Sequence, residues 1–135
     1  MPAPSRWLIR SAYTCLLVGM IVGAVMLVHK AYPLHPAIWS LLPVHIELLV
    51  VGWIVQFTMG TAYWILPRYL KDSSRGNARL ARLMFLLLNI GIVVVIADRL
   101  IVSTLPLAIM GRLCEVAAVV LFISLHWQRI VTYNN

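Results

Sequence analysis
The sequence predicts an all-α membrane protein, a bundle of four transmembrane helices forming one domain over residues 1–135. Three observations carry this. Hydrophobic residues make up 62% of the chain and charged ones 11%, with a mean hydropathy of +0.93, far more apolar surface than a wetted domain of this size needs. The apolar residues fall in four blocks of roughly 18 to 26 residues, the length a helix needs to cross a bilayer. The charges collect between those blocks. A net charge of +7 would suggest nucleic acid in a soluble chain, but here the basic residues flank the spans. Topology accounts for them, so the expected surroundings are lipid and no nucleic-acid partner is expected.

The first span is placed at residues 12–29, after a basic leader, Met1–Ile9, that holds Pro2, Pro4 and Arg6, with Arg10 just beyond. A charged start followed by an apolar run has the outline of a signal peptide. No small-x-small cleavage site precedes Lys30, and the helix is expected to be retained. Gly19 and Gly23 stand at the GxxxG spacing beside Ala24, a face that another helix can approach closely. The loop KAYPLHPAIWSLL is broken by Pro33 and Pro36, and its Tyr32 and Trp39 suit an interfacial belt.

The second span, residues 43–68, is entered through Pro43 and closed by Pro67. The most polar stretch follows, with Lys71, Asp72, Ser73, Ser74, Arg75 and Gly76. The third span runs over 80–102. Ser103, Thr104 and Pro106 then read as a tight turn with a good N-cap and an early proline, and the fourth span covers 105–129 before the tail VTYNN. The two cysteines, Cys15 and Cys114, lie in different spans and read as small buried residues. No CxxC, CxxCH or zinc spacing is present. With both termini on one side, that side collects Arg6, Arg10, Arg68, Lys71, Arg75, Arg79, Arg82 and Arg129, against Lys30, Arg99 and Arg112 on the other. The expected location is therefore a prokaryotic cytoplasmic (inner) membrane, multi-pass, with both termini cytoplasmic.

The organising stretch is span two, PVHIELLVVGWIVQFTMGTAYWILPR. Counting from His45, the residues Leu49, Gly52, Gln56, Met59, Tyr63 and Pro67 follow at steps of three and four and share one helix face. Polar groups are expensive in lipid, so this stripe is expected to face protein or a bound cofactor. A second signal is a polar layer at the outer side. Glu47, Asp98 and Glu115 fall at the outer ends of spans two, three and four, with Arg99 and Arg112 at similar depth. Arg112 and Glu115 are three residues apart on one face. These groups read as a network joining helix ends, or as a source of cations for an anionic ligand. His29 and His126 read as interfacial, His35 as a loop residue that enters the outer layer, and Asn89 as an interhelical contact.

Span two also resembles the second helix of the catalytic subunit of heme-copper oxidases and nitric oxide reductases. The matching residues are His45, Leu48, Gly60, Ala62, Tyr63 and Pro67, within HIELL and MGTAYWILP, and the nitric oxide reductase branch looks nearest. The chain has the size of one four-helix unit, whereas the family's subunit has three. It lacks the paired histidines and the histidine-x-x-x-tyrosine element that hold the family's second metal.

The resemblance implies heme b, its iron bound by His45, with Leu49, Gly52 and Gln56 lining the ring and Arg99 and Arg112 neutralising the propionates. The family clamps its low-spin heme between helices of neighbouring units, so a homo-oligomer, dimer or trimer, is expected to share the heme between copies of His45. His35, a methionine such as Met59 from another chain, or an open position are the other options for the second ligand. The implied role is electron transfer with a quinol or another redox partner, without catalysis. A cofactor-free structural or assembly subunit and a five-coordinate heme gas sensor are the alternative readings.

Overall fold
Helix α1, Ala3–Ala31, starts much earlier than the hydropathy suggests. Pro4 lies in its first turn, where a missing N–H costs no hydrogen bond, so Arg6 and Arg10 ride on the helix instead of forming a leader. The computed structural model describes residues 1–67, 76–101 and 107–131. The expected polar loop with Lys71, Asp72, Ser73, Ser74 and Arg75, the turn with Ser103, Thr104 and Pro106, and residues 132–135 of the tail lie outside the described residues.

After α1 the chain makes a 3-10 turn, Pro36–Leu41, capped by His35, whose Nδ1 accepts from the Ala37 N–H at 3.2 Å. Helix α2 then runs without a break over 42–65. Its opening turns, Leu42–Glu47, and its final turns, Gln56–Ile65, are α-helical, while Leu48–Val55 between them is wound as π-helix. Helix α3, Ala78–Leu100, is capped by Asn77, whose Oδ1 accepts from the Arg79 N–H at 2.8 Å. Helix α4 is Leu107–Val131. All four are long and apolar enough to cross a membrane, and the described residues form no strand.

Two hairpins make the bundle. In one, α1 lies along α2, and Ser5 Oγ donates to the Gly60 carbonyl at 2.6 Å. In the other, α3 crosses α4 at Gly91 and Gly111: a Cβ added to Gly111 would stand 2.9 Å from the Gly91 carbonyl oxygen and 2.6 Å from Val95. Only hydrogen fits there, and the close approach maximises the dispersion contact that holds helices together where no hydrophobic effect operates between them. Leu8, Met59, Tyr63, Ala81, Met84, Leu88, Ile92, Ala118 and Leu125 form the common core. The outward residues, among them Leu17, Ile21, Leu86, Val93 and Leu113, are exposed aliphatics suited to acyl chains.

Candidate functional site
The functional stripe begins where α2 meets α1. His45 stands one turn into α2, and its ring fills the space left by Gly23: a Cβ on that glycine would be 2.6 Å from the imidazole Cε1. Four residues earlier, Gly19 receives Leu49, and its carbonyl oxygen lies 2.8 Å from His45 Nδ1. The GxxxG face of α1 is thus the seat of the histidine. A carbonyl oxygen can only accept, so Nδ1 carries the proton and Nε2 keeps its lone pair. No hydrogen bond among the described residues uses Nε2.

The imidazole lines a groove of about 520 Å³ between α1 and the start of α2. Gly23, Ala24, Leu42 and Leu49 form part of its wall, with Trp39 and Lys30 at its outer end. Several lining residues, Met20, Leu27, Trp39 and Leu42, are exposed at the bundle surface, so the groove opens sideways toward the lipid. Lys30 is the single cation in this lining. Among the described residues no three His, Cys, Asp or Glu side chains converge to hold a bare metal ion.

Two residues away, Glu47 has a different fate. It is 3% exposed and is held by Arg112 of α4, whose Nη1 donates to Oε1 at 3.1 Å and whose Nη2 donates to Oε2 at 2.5 Å. Arg112 Nη1 also donates to Glu115 at 2.7 Å, the i,i+3 pair expected from the sequence. One guanidinium therefore joins the two hairpins at the end opposite the chain termini. The network is smaller than the sequence suggests. Arg99 is exposed and Asp98 half-buried, and neither shares an ion pair within this cluster.

The rest of the stripe turns away from the groove. Gly52 faces Cys15 of α1: a Cβ there would lie 2.9 Å from the cysteine Cβ and Sγ. Gln56 is fully buried; its Nε2 donates to Asn89 Oδ1 at 3.1 Å, and the same oxygen accepts from Ser11 Oγ at 2.5 Å. His45, Leu49 and Gly52 all meet α1, at Gly23, Gly19 and Cys15, and Gln56 then turns to Asn89 of α3. His45 and Leu49 line the groove, whereas Gly52 and Gln56 pack inside the bundle. Sequence reasoning missed Lys30, Ala24 and the Gly19 carbonyl; the GxxxG motif opposite a histidine-bearing helix was the signal that pointed to them.

The other histidines lie outside the groove, although the buried Nε2 of His126 also has no hydrogen-bond partner among the described residues. His29 is buried, and its Nδ1 accepts from the Leu34 N–H at 3.0 Å, clasping the turn after α1 beside Trp39. His126 is not interfacial: it is 2% exposed, its Nδ1 donates to the Phe122 carbonyl at 2.6 Å, and its ring meets Tyr63 edge-on at 5.4 Å. It shares the inward face of α4 with Leu125 and Arg129. Arg129 in turn donates to the Pro67 and Leu66 carbonyls that α2 leaves open at its end.

A family model described as Cytochrome C and Quinol oxidase polypeptide I matches residues 3–134. No curated protein and no solved structure matches the chain.

Proposed function
The chain belongs to the Cytochrome C and Quinol oxidase polypeptide I family, and from that premise we propose that it is a membrane cytochrome that holds heme b through His45. The observation that carries the reading is the hydrogen bond from His45 Nδ1 to the Gly19 carbonyl. A metal-bound histidine almost always donates its other ring N–H to a carbonyl or carboxylate, which fixes the tautomer and strengthens the donor nitrogen. This imidazole is fixed that way, beside an apolar groove, with Nε2 free to bind iron. Heme, when bound, supplies a one-electron couple whose potential depends on axial ligands, burial and nearby charge.

The chain's own residues then have distinct tasks. Gly23 leaves room for the imidazole, and Ala24, Leu42 and Leu49 supply apolar wall and keep water from the iron side. Lys30, at the outer end of the lining, is placed to neutralise a propionate. Arg112 is already shared by two carboxylates, and Arg99 lies away from the groove lining. These two remain candidates for the propionates only across a subunit boundary.

The sideways opening supports a second copy as the other wall. The groove of one chain offers one imidazole, His45, and would cover a heme from one side. A homo-oligomer in which two such grooves met would hold the heme through one His45 from each chain and close the site from lipid. The role that follows is electron transfer between a quinol or another reductant and an acceptor, in a multi-pass membrane protein of the prokaryotic inner membrane.

The test is a reduced-minus-oxidised spectrum of protein expressed with ample heme precursor, for wild type and His45→Ala. A sharp reduced alpha band is expected in the wild type and its loss in His45→Ala, with helicity by circular dichroism unchanged. A colourless wild type, or full heme content in the variant, contradicts the assignment.

A further inference from the structure
A second groove lies at the opposite end of α1, near the chain termini, between α1 and α3. It has a volume of about 470 Å³ and is lined by Trp7, Arg10, Ser11 and Thr14 from one helix and by Arg82, Phe85 and Leu86 from the other. The spacings 7, 10, 11, 14 and 82, 85, 86 each describe one helix face. Trp7 and Phe85, with ring centroids 5.9 Å apart, make an aromatic floor. Behind it, Ser11 donates to Asn89. Those two contacts pair residue 7 with 85 and 11 with 89, so Arg10 sits about six residues, or about 9 Å, deeper than Arg82. The two helices run the same way, so both side chains lean toward their helix starts and the offset of about 9 Å is kept, a span that one phosphate between the two guanidiniums can bridge.

The charge balance here is one-sided. Glu47, Asp98 and Glu115 are all at the other end of the bundle, and Glu47 and Glu115 are held by Arg112. The fourth acid, Asp72, lies outside the described residues, and a single carboxylate cannot neutralise Arg6, Arg10, Arg79 and Arg82 together. An apolar trough flanked by two exposed guanidiniums at the membrane boundary asks for a ligand that is acyl chain along the floor and phosphate at the rim.

We propose that this groove binds an anionic phospholipid of the leaflet on the side of the chain termini, its phosphate held between Arg10 and Arg82 and an acyl chain laid over Trp7, Phe85 and Leu86. The lipid fills the seam between the two hairpins and supplies the missing negative charge. This assignment is independent of the heme reading, because none of its residues touches the His45 groove.

Native mass spectrometry of the protein released from nanodiscs of equal phosphatidylglycerol and phosphatidylcholine provides the test. Wild type is expected to retain phosphatidylglycerol preferentially. Arg10→Gln and Arg82→Gln are each expected to weaken that retention about fivefold, the effect of one basic residue at an anionic surface. Leu86→Trp, which fills the trough but keeps both cations, is expected to lose the bound lipid as well, and Arg79→Gln is expected to behave as wild type. Equal retention of the two lipids by wild type overturns the proposal, and that measurement needs no variant to fold. Unchanged retention in Leu86→Trp overturns it too, since only a diffuse charge effect would survive a filled groove.

Discussion
His45 and Glu47 are separated by one residue at the mouth of α2, yet the bundle treats them in opposite ways. Glu47 is saturated: both carboxylate oxygens are taken by Arg112, across the interface between the hairpins. His45 is held by one nitrogen only, and its other nitrogen is left beside an apolar groove that opens to the surface. In a membrane every unsatisfied polar group is costly, so a fully matched pair reads as construction, and a group immobilised with an open valence beside a groove reads as a site, which separates His45 from the enclosed His126. Proximity in sequence says nothing about which is which. The neighbouring helix decides, α4 for the glutamate and α1 for the histidine.

The sharpest way to break the comparison is Arg112→Leu. It strands two carboxylates between the hairpins and is expected to cost about 3 kcal/mol, seen as a large loss of thermal stability in detergent. If the saturated pair were dispensable, that variant would melt like wild type. Next comes Gly23→Leu, which pushes a side chain into the imidazole, 2.6 Å from the first added carbon. Heme affinity is expected to fall at least about tenfold, with the helical content retained, as for loss of an orienting partner. Lys30→Gln follows, with an expected weakening of about fivefold in heme retention if this lysine faces a propionate. Arg99→Gln, done in parallel, is expected to leave heme content unchanged unless that arginine reaches a neighbouring subunit. The smallest effect belongs to Asn89→Leu. It removes the partner of Gln56 and Ser11 and is expected to cost about 0.6 kcal/mol, the usual worth of such a contact in a bundle, in a thermal melt and not in the spectrum.

The four spans were legible because hydropathy and length are properties of composition. Their ends were less so. Pro4 and Arg6 read as leader, although a proline in a first turn and arginines at a membrane boundary are both compatible with α1 starting at Ala3. The stripe on α2 was legible along its length, since His45, Gly52, Gln56, Met59 and Tyr63 all face the protein. Spacing does not say which neighbour each member meets: Gly52 packs on Cys15 and Gln56 on Asn89, away from the groove that His45 lines. Of the ionic layer, the local pair Arg112–Glu115 followed from spacing, but the link to Glu47 depends on which helices become neighbours. The same holds for Lys30, which only the packing of α1 on α2 brings to the groove.

The central claim is that one imidazole per chain serves iron and that a second copy completes the coordination. The ratio of heme to polypeptide, taken together with the spin state of the oxidised protein, tests it most directly. The account predicts one heme for every two chains, low-spin, with two histidine ligands and no reaction with carbon monoxide after reduction. One high-spin, carbon-monoxide-binding heme per chain, or no heme at all, would contradict it.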